Sequence, residues 1–298
     1  MEYTRREMLA LTGLGLAGLL GCEAKAVEET KACTFAREYP NSEFARVIER
    51  VPVPNAVKCL VHVRQQHSVE ATVFEKFIAP SFAIPEKRAQ WQKTYADINS
   101  CQKEIAEILS AAAKKYAGDI SFFAEGGHGN VSLRQAREAY ALTLQRIDKS
   151  KLFDFPILDR ILEYQSLSQK KQSMEEHLRF LQVQEQIDTI KYIPGGDLFL
   201  AKDGIISLQG AETEEGSRIA REKILSSPDP KNPPKEVLQE VNTIRENAVL
   251  SLVEKSSSVM NFVTFGAVHQ LGKTVQEWNK THACVYSFVS VTPNSCEK

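Results

Sequence analysis

The stretch Cys59-Leu60-Val61-His62-Val63-Arg64-Gln65-Gln66-His67-Ser68 decides how the chain reads. Its first half is short, apolar and rich in β-branched residues, the composition of a strand buried on both faces. Its second half turns polar and ends in His67. Open α/β sheets bind ligands just beyond the carboxyl ends of their strands. His67 is therefore the first candidate site residue, and the rest of the chain decides whether other strands end beside it.

Working outward, Pro52 to Asn55 leads into this strand. A loop holding Pro80 and Pro85 follows it and opens a long helix, about residues 86–116. In that helix Trp91, Tyr95, Ile98, Ile105, Leu109, Ala112 and Tyr116 form one apolar stripe at helical spacing, and Ala117-Gly118-Asp119 ends it. Ile120-Ser121-Phe122-Phe123-Ala124 is a second buried strand, ending in Glu125-Gly126-Gly127-His128. Strand, helix, strand is a βαβ unit, right-handed by default. From Asn130, read as an N-cap, to about residue 190 the pattern is helical. Gly204 to Leu208 reads as a third strand ending near Glu212. A helix over about 236–255, with Leu238, Val241, Ile244, Ala248 and Leu252 inward, precedes a strand over 259–265 that ends in Gly266-Ala267-Val268-His269. A final strand covers about 284–291. The predicted class is α/β: a mostly parallel central sheet flanked by helices, with a helical insertion at about 130–192 after the second strand.

Three strands thus end in titratable groups, at His67, Glu125 and His269, with Glu212 a fourth candidate. On one sheet edge they would converge. Two imidazoles and one or two carboxylates are a donor set for zinc or another divalent transition metal. They are equally a metal-free acid/base pair. Arg64 is placed to pair with Glu125 and hold it ionised. Each residue also has a plainer reading. Glu125 could cap a helix N-terminus, Gly126-Gly127 could be only a turn, and His62 reads as a buried structural residue. His128 is a lesser candidate, and His177 and His282 read as bystanders.

The chain has 298 residues, 43% apolar and 25% charged, with 37 basic and 38 acidic side chains. A net charge of −1 carries no nucleic-acid signal. No apolar run is long enough to span a bilayer, which takes about 18 residues or more. The N-terminus reads as an export signal over 1–21. Arg5 and Arg6 precede an apolar, Gly-rich run from Ala10 to Gly21, and Cys22 follows. Gly13, Gly15 and Gly18 match G-x-G-x-x-G but lie inside that signal, where the motif has no strand or helix to serve. Residues 22–50 read as a tether and lead-in, and 51–298 as one α/β domain. Beyond Cys22 the other cysteines, Cys33, Cys59, Cys101, Cys284 and Cys296, are odd in number. An extracytoplasmic site permits disulfides, and Cys33 with Cys296, near the two ends, is the expected pair.

Several of these motifs carry resemblances. Leu19-Leu20-Gly21-Cys22 resembles a bacterial lipobox, which implies lipid on Cys22, membrane attachment and a cell-envelope location on the periplasmic side. Arg5-Arg6 with Met8-Leu9 resembles a twin-arginine export signal, with Met8 where the usual residue is Phe; plain Sec export is the alternative. Arg64-Gln65-Gln66-His67, Ala124-Glu125-Gly126 and Gly266-Ala267-Val268-His269 resemble, in order and spacing, the ChaN/erythromycin-esterase-like superfamily, closest to TraB/TIKI (GumN-like) proteins. Arg245-Glu246-Asn247 is similar to the Arg/Asn helix that precedes their last G-x-x-H. The resemblance spans about residues 57–293. It implies an α/β fold with a helical insertion and a site built from those His and Glu residues. It also implies hydrolase chemistry of the protease or esterase class, metal-dependent in some members, on a peptide or small-molecule substrate, while others bind haem. The chain departs from the pattern at Arg64, which stands where the first motif has Gly. The other expectation is a non-enzymatic envelope lipoprotein binding haem, a metal or a small molecule; with no Tyr or Met in the strand-end motifs, a haem ligand would be a His.

Overall fold

A computed structural model describes residues 29–66, 74–169, 173–230 and 232–297, without the side chains of Lys76, Phe77 and Glu297. The expected export signal with Arg5 and Arg6, the expected lipidation residue Cys22 and the candidate His67 lie outside the described residues. No helix of the described residues is long and apolar enough to cross a membrane.

The chain begins with α1 (Lys31–Glu38), β1 (Ala45–Val51) and β2 (Lys58–Gln65), followed by α2 (Pro85–Lys115), β3 (Ile120–His128) and the short β4 (Asn130–Val131). The helices α3 (Leu133–Ser150), α4 (Ile157–Ser168), α5 (Met174–Asp188) and α6 (Gly196–Lys202) come next. They are followed by β5 (Leu208–Glu212), α7 (Glu214–Leu225), α8 (Lys235–Lys255), β6 (Met260–Gly266), α9 (Leu271–Thr281) and β7 (Tyr286–Pro293). The strands form one seven-stranded sheet in the order β1-β7-β2-β6-β3-β5-β4. The five central strands are parallel, and only β1 and β4, at the two edges, are antiparallel to their neighbours. The α/β class, the mostly parallel sheet and the flanking helices are as the sequence predicts.

Period-2 alternation divides the side chains of β2 between two layers. Cys59, Val61 and Val63 pack with Ile105, Leu109 and Phe262 in the layer under α1, α2 and α6. Leu60 packs with Val249, Val253, Phe265 and Phe288 in the layer under α8 and α9. Burial on both faces is why the strand reads as an unbroken apolar run. The predicted stripe of α2 is the buried one: Tyr95, Ile98, Ile105, Leu109 and Ala112 face inward. The inserted helices have their own small core, in which Tyr95 meets Leu144, Ile147, Ile157 and Ile193.

Four local expectations are corrected. Residues 45–50, assigned to the lead-in, belong to edge strand β1, and a Thr30-capped helix, α1, lies in the same stretch. β1 escapes a pattern reading because only Ala45 is buried along it. The third parallel strand begins at Leu208, not Gly204, and Gly204 lies in the turn before it. α3 starts at Ser132, not Asn130: the Ser132 hydroxyl accepts from Gln135 N–H and the Gln135 side chain returns to the Ser132 N–H, a capping box. The disulfide joins Cys101 to Cys296, not Cys33 to Cys296. Cys101 lies on the inner face of α2, against which the C-terminal turn Asn294–Glu297 packs, whereas Cys33 is buried with a free thiol.

Candidate functional site

Parallel pairing aligns the strand ends. Gln65 of β2 lies opposite Gly266 of β6, while β3 and β5 flank β6 on its other side. β3 and β5 are drawn together immediately beyond: a Cβ at Gly210 would lie 2.0 Å from the Gly127 carbonyl oxygen. Only glycine admits that approach, and it brings the tips carrying Glu125 and Glu212 to one point.

Arg245 of α8 meets them there. Its Nη2 donates to Glu125 Oε1 at 2.6 Å and to Glu212 Oε1 at 2.5 Å, and its guanidinium lies 5.2 Å from the centre of the Phe265 ring. The second oxygen of each carboxylate is also held. Glu125 Oε2 accepts the Gly266 N–H at 2.7 Å, and Glu212 Oε2 accepts the Ser217 hydroxyl at 2.8 Å. Burial alone would raise the Glu212 pKa, but Arg245, Ser217 and the Gly126 N–H outweigh it and hold the carboxyl below its ordinary value.

The next residue of α8, Glu246, is buried and fixes His269. Glu246 Oε1 lies 3.1 Å from His269 Nδ1 and accepts the Gln270 N–H at 2.8 Å, while Oε2 accepts the Thr274 hydroxyl. The imidazole lies against the Phe265 ring, 4.0 Å between centres. Its Nε2 faces Glu125 Oε1 at 3.7 Å and Arg245 Nη1 at 3.4 Å. Burial disfavours the imidazolium, and Arg245 opposes it. The carboxylates of Glu125 and Glu246 prevail, so the His269 pKa lies above its ordinary value. The balance follows from the charges: with His269 neutral, three part-buried carboxylates would share one guanidinium. The same partners hold Glu246 below its ordinary pKa.

Of the sequence candidates, Glu125, Glu212 and His269 therefore come together. The expected Arg64–Glu125 pair is not seen: Arg245 is the cation on Glu125, and Arg64 lines the cavity beside His62 and His269. His62 lies below the site with Nε2 3.1 Å from the Phe265 carbonyl oxygen, and burial pushes its pKa down to about 4, leaving it neutral near pH 7. His128 Nδ1 lies 3.2 Å from the Glu212 carbonyl oxygen on the exposed side. His282 stacks on Trp278, 3.6 Å between ring centres, and His177 is exposed on α5.

A metal at this point would need Glu125 and Glu212 as ligands, yet one guanidinium nitrogen already bridges their oxygens. Among the described residues no group of three or more His, Cys, Asp or Glu is arranged to hold an ion. Of the expected ligand set, Glu125, Glu212 and His269 are thus already engaged by Arg245, Gly266, Ser217 and Glu246, an arrangement that does not fit an ion held by these three, and the fourth, His67, lies outside the described residues.

Two cavities flank the Glu125–His269 pair. On the α2/α6 side a cleft of about 300 Å³ is lined by Glu125, Gly126, Gln65, Gln102, Pro194 and Asp197. Asp197 is buried and accepts the Thr264 hydroxyl at 2.5 Å. On the α9 side a cavity of about 250 Å³ is lined by His269, His62 and Arg64. Arg245, Glu246 and Asp197 are site residues that strand-end reasoning misses, since all three stand on helices. The available signal in α8 was a charged pair, Arg245-Glu246, set within an otherwise apolar stripe. No protein-family model, curated protein or solved structure matches the chain.

Proposed function

We propose that this protein is an extracytoplasmic, lipid-anchored hydrolase of the ChaN/erythromycin-esterase-like kind, with Glu125 and His269 as its acid/base pair. The observation that carries the reading is His269 Nε2 facing Glu125 Oε1 at 3.7 Å, at the carboxyl edge of the sheet, between two ligand-sized cavities. Glu125 is ion-paired with Arg245, and its carboxylate and that of Glu246 raise the proton affinity of His269, which suits a base and an acid respectively.

In the proposed cycle Glu125 takes a proton from water as the water oxygen adds to the substrate carbonyl carbon. Collapse of the tetrahedral species breaks the bond to the leaving group, which takes the Nε2 proton of His269. The proton on Glu125 then passes to His269 Nε2 and restores both groups. Glu246 holds the ring through Nδ1, and Arg245 positions Glu125 through their ion pair. His67, two residues after β2 in the sequence, is included in this reading as a further acid/base group. Cys22 carries the lipid in this reading.

A second reading has one observation in its favour. Glu125, Glu212 and Glu246 are each satisfied by partners inside the protein, as in a site kept for binding alone. A panel of chromogenic esters and fluorogenic peptides separates the two. The hydrolase reading expects turnover that falls at least 100-fold in Glu125→Gln and His269→Gln, with thermal unfolding still cooperative. Folded variants with undiminished turnover, or a wild type that binds ligands and hydrolyses none, would overturn it.

A further inference from the structure

The cavity on the α9 side holds a cation that no carboxylate of the described residues pairs with. Arg64 extends from the end of β2 into it. Its Nε is buried and makes no hydrogen bond, and no carboxylate among the described residues forms an ion pair with it. A guanidinium is always charged and strongly prefers a planar, two-pronged acceptor. Leaving one of its donors buried and unmet is costly, so the position calls for a partner that the described residues do not supply.

The other walls indicate what that partner is. Lys273, exposed on the first turn of α9, also lines the cavity and has no ion pair among the described residues. His269, the proton donor of the proposed reaction, forms one side, and neutral His62 forms the floor. The one carboxylate in the lining belongs to Glu49 of β1, which is exposed. It lies over the first turn of α9, so close that a Cβ on Gly272 would be 2.6 Å from it. A helix start favours negative charge there. Two cations therefore face one carboxylate.

We propose that this cavity binds an oxyanion carried by the substrate, a carboxylate or a phosphate, through Arg64 with Lys273 in support. The proposal rests on the hydrolase reading and refines it: the substrate is an anionic ester or amide. Its charged end lies at Arg64, its reacting carbonyl lies at Glu125 and His269, and its remainder lies in the cleft beside Asp197. Arg64, the departure from the G-x-x-H pattern, would then set specificity.

Titration calorimetry on the full chain tests this with succinate and with inorganic phosphate, which distinguishes the two anion classes. Wild type is expected to bind at least one of them. Arg64→Gln should weaken that binding about 10- to 100-fold, the range for a charge-assisted pair. Arg64→Lys, which keeps the charge and loses the fork, should fall between. Glu49→Gln, which removes a like charge, should tighten it. No binding of either anion to wild type, or equal binding by Arg64→Gln, would overturn the proposal. Hydrolysis of neutral esters without anion binding would sink the anion site and leave the hydrolase standing. Arg64-dependent anion binding by a protein that hydrolyses nothing would do the reverse.

Discussion

The two sides of the sheet's carboxyl edge are built from different materials. On the α8/α9 side the groups are ionic: Arg245 bridges Glu125 and Glu212, and Glu246 holds His269. On the α2/α6 side they are mostly neutral amides. Gln102 accepts the Gly196 N–H at 2.8 Å and donates to the Gln66 carbonyl at 2.9 Å, while Asn99 accepts the Tyr192 N–H and donates to the Asp188 carbonyl, each at 2.9 Å. The amides serve backbone groups that would otherwise be buried unpaired, and they fasten the inserted helices to the end of β2. The ionic side serves side chains and sets their protonation. One side holds a shape and the other holds charge. The candidate chemistry sits where they meet, at Glu125.

The contrast is open to test from both sides. Replacing Arg245 with Met leaves two part-buried carboxylates without their cation and should cost about 3–5 kcal/mol, the scale for breaking a buried ion pair. Urea unfolding measures it, and adding Glu125→Gln and Glu212→Gln should recover much of the loss. Replacing Gln102 with Leu leaves one N–H and one carbonyl unpaired and should cost about 1–3 kcal/mol by the same measurement. If Arg245→Met proves no more harmful than Gln102→Leu, the ionic side is not the coupled unit described here.

The sequence carries more of the scaffold than of the site. Strands buried on both faces, such as Cys59 to Val63 and Met260 to Gly266, stand out because most of their positions are apolar. Glu125, Glu212 and His269 were legible as the polar tips of such strands. Edge strand β1 was not, since Ile48, Glu49 and Arg50 are all exposed and leave little alternation to detect. Arg245 and Glu246 were quoted only through a resemblance. A charged pair on a helix ordinarily faces water, and it is the packing of α8 over the strand ends that turns this one inward. The inward stripe is accordingly Val241, Glu246, Val249, Leu250 and Val253, while Leu238, expected inside, is exposed. The partner of Cys296 could not be read, because spacing does not determine connectivity.

The central claim is that the Glu125 and Glu246 carboxylates raise the proton affinity of the His269 ring. The most direct measurement is the titration of the His269 ring by NMR on histidine-labelled protein, in wild type and in Glu125→Gln and Glu246→Gln. A midpoint above the ordinary 6.5 is expected in wild type, with a fall in each variant. The linked stability has a definite sign. A raised folded-state pKa contributes stability that is fully present below pH 6.5 and is lost as pH rises through the folded midpoint. A wild-type midpoint at or below 6.5, or one indifferent to Glu125 and Glu246, would contradict the account.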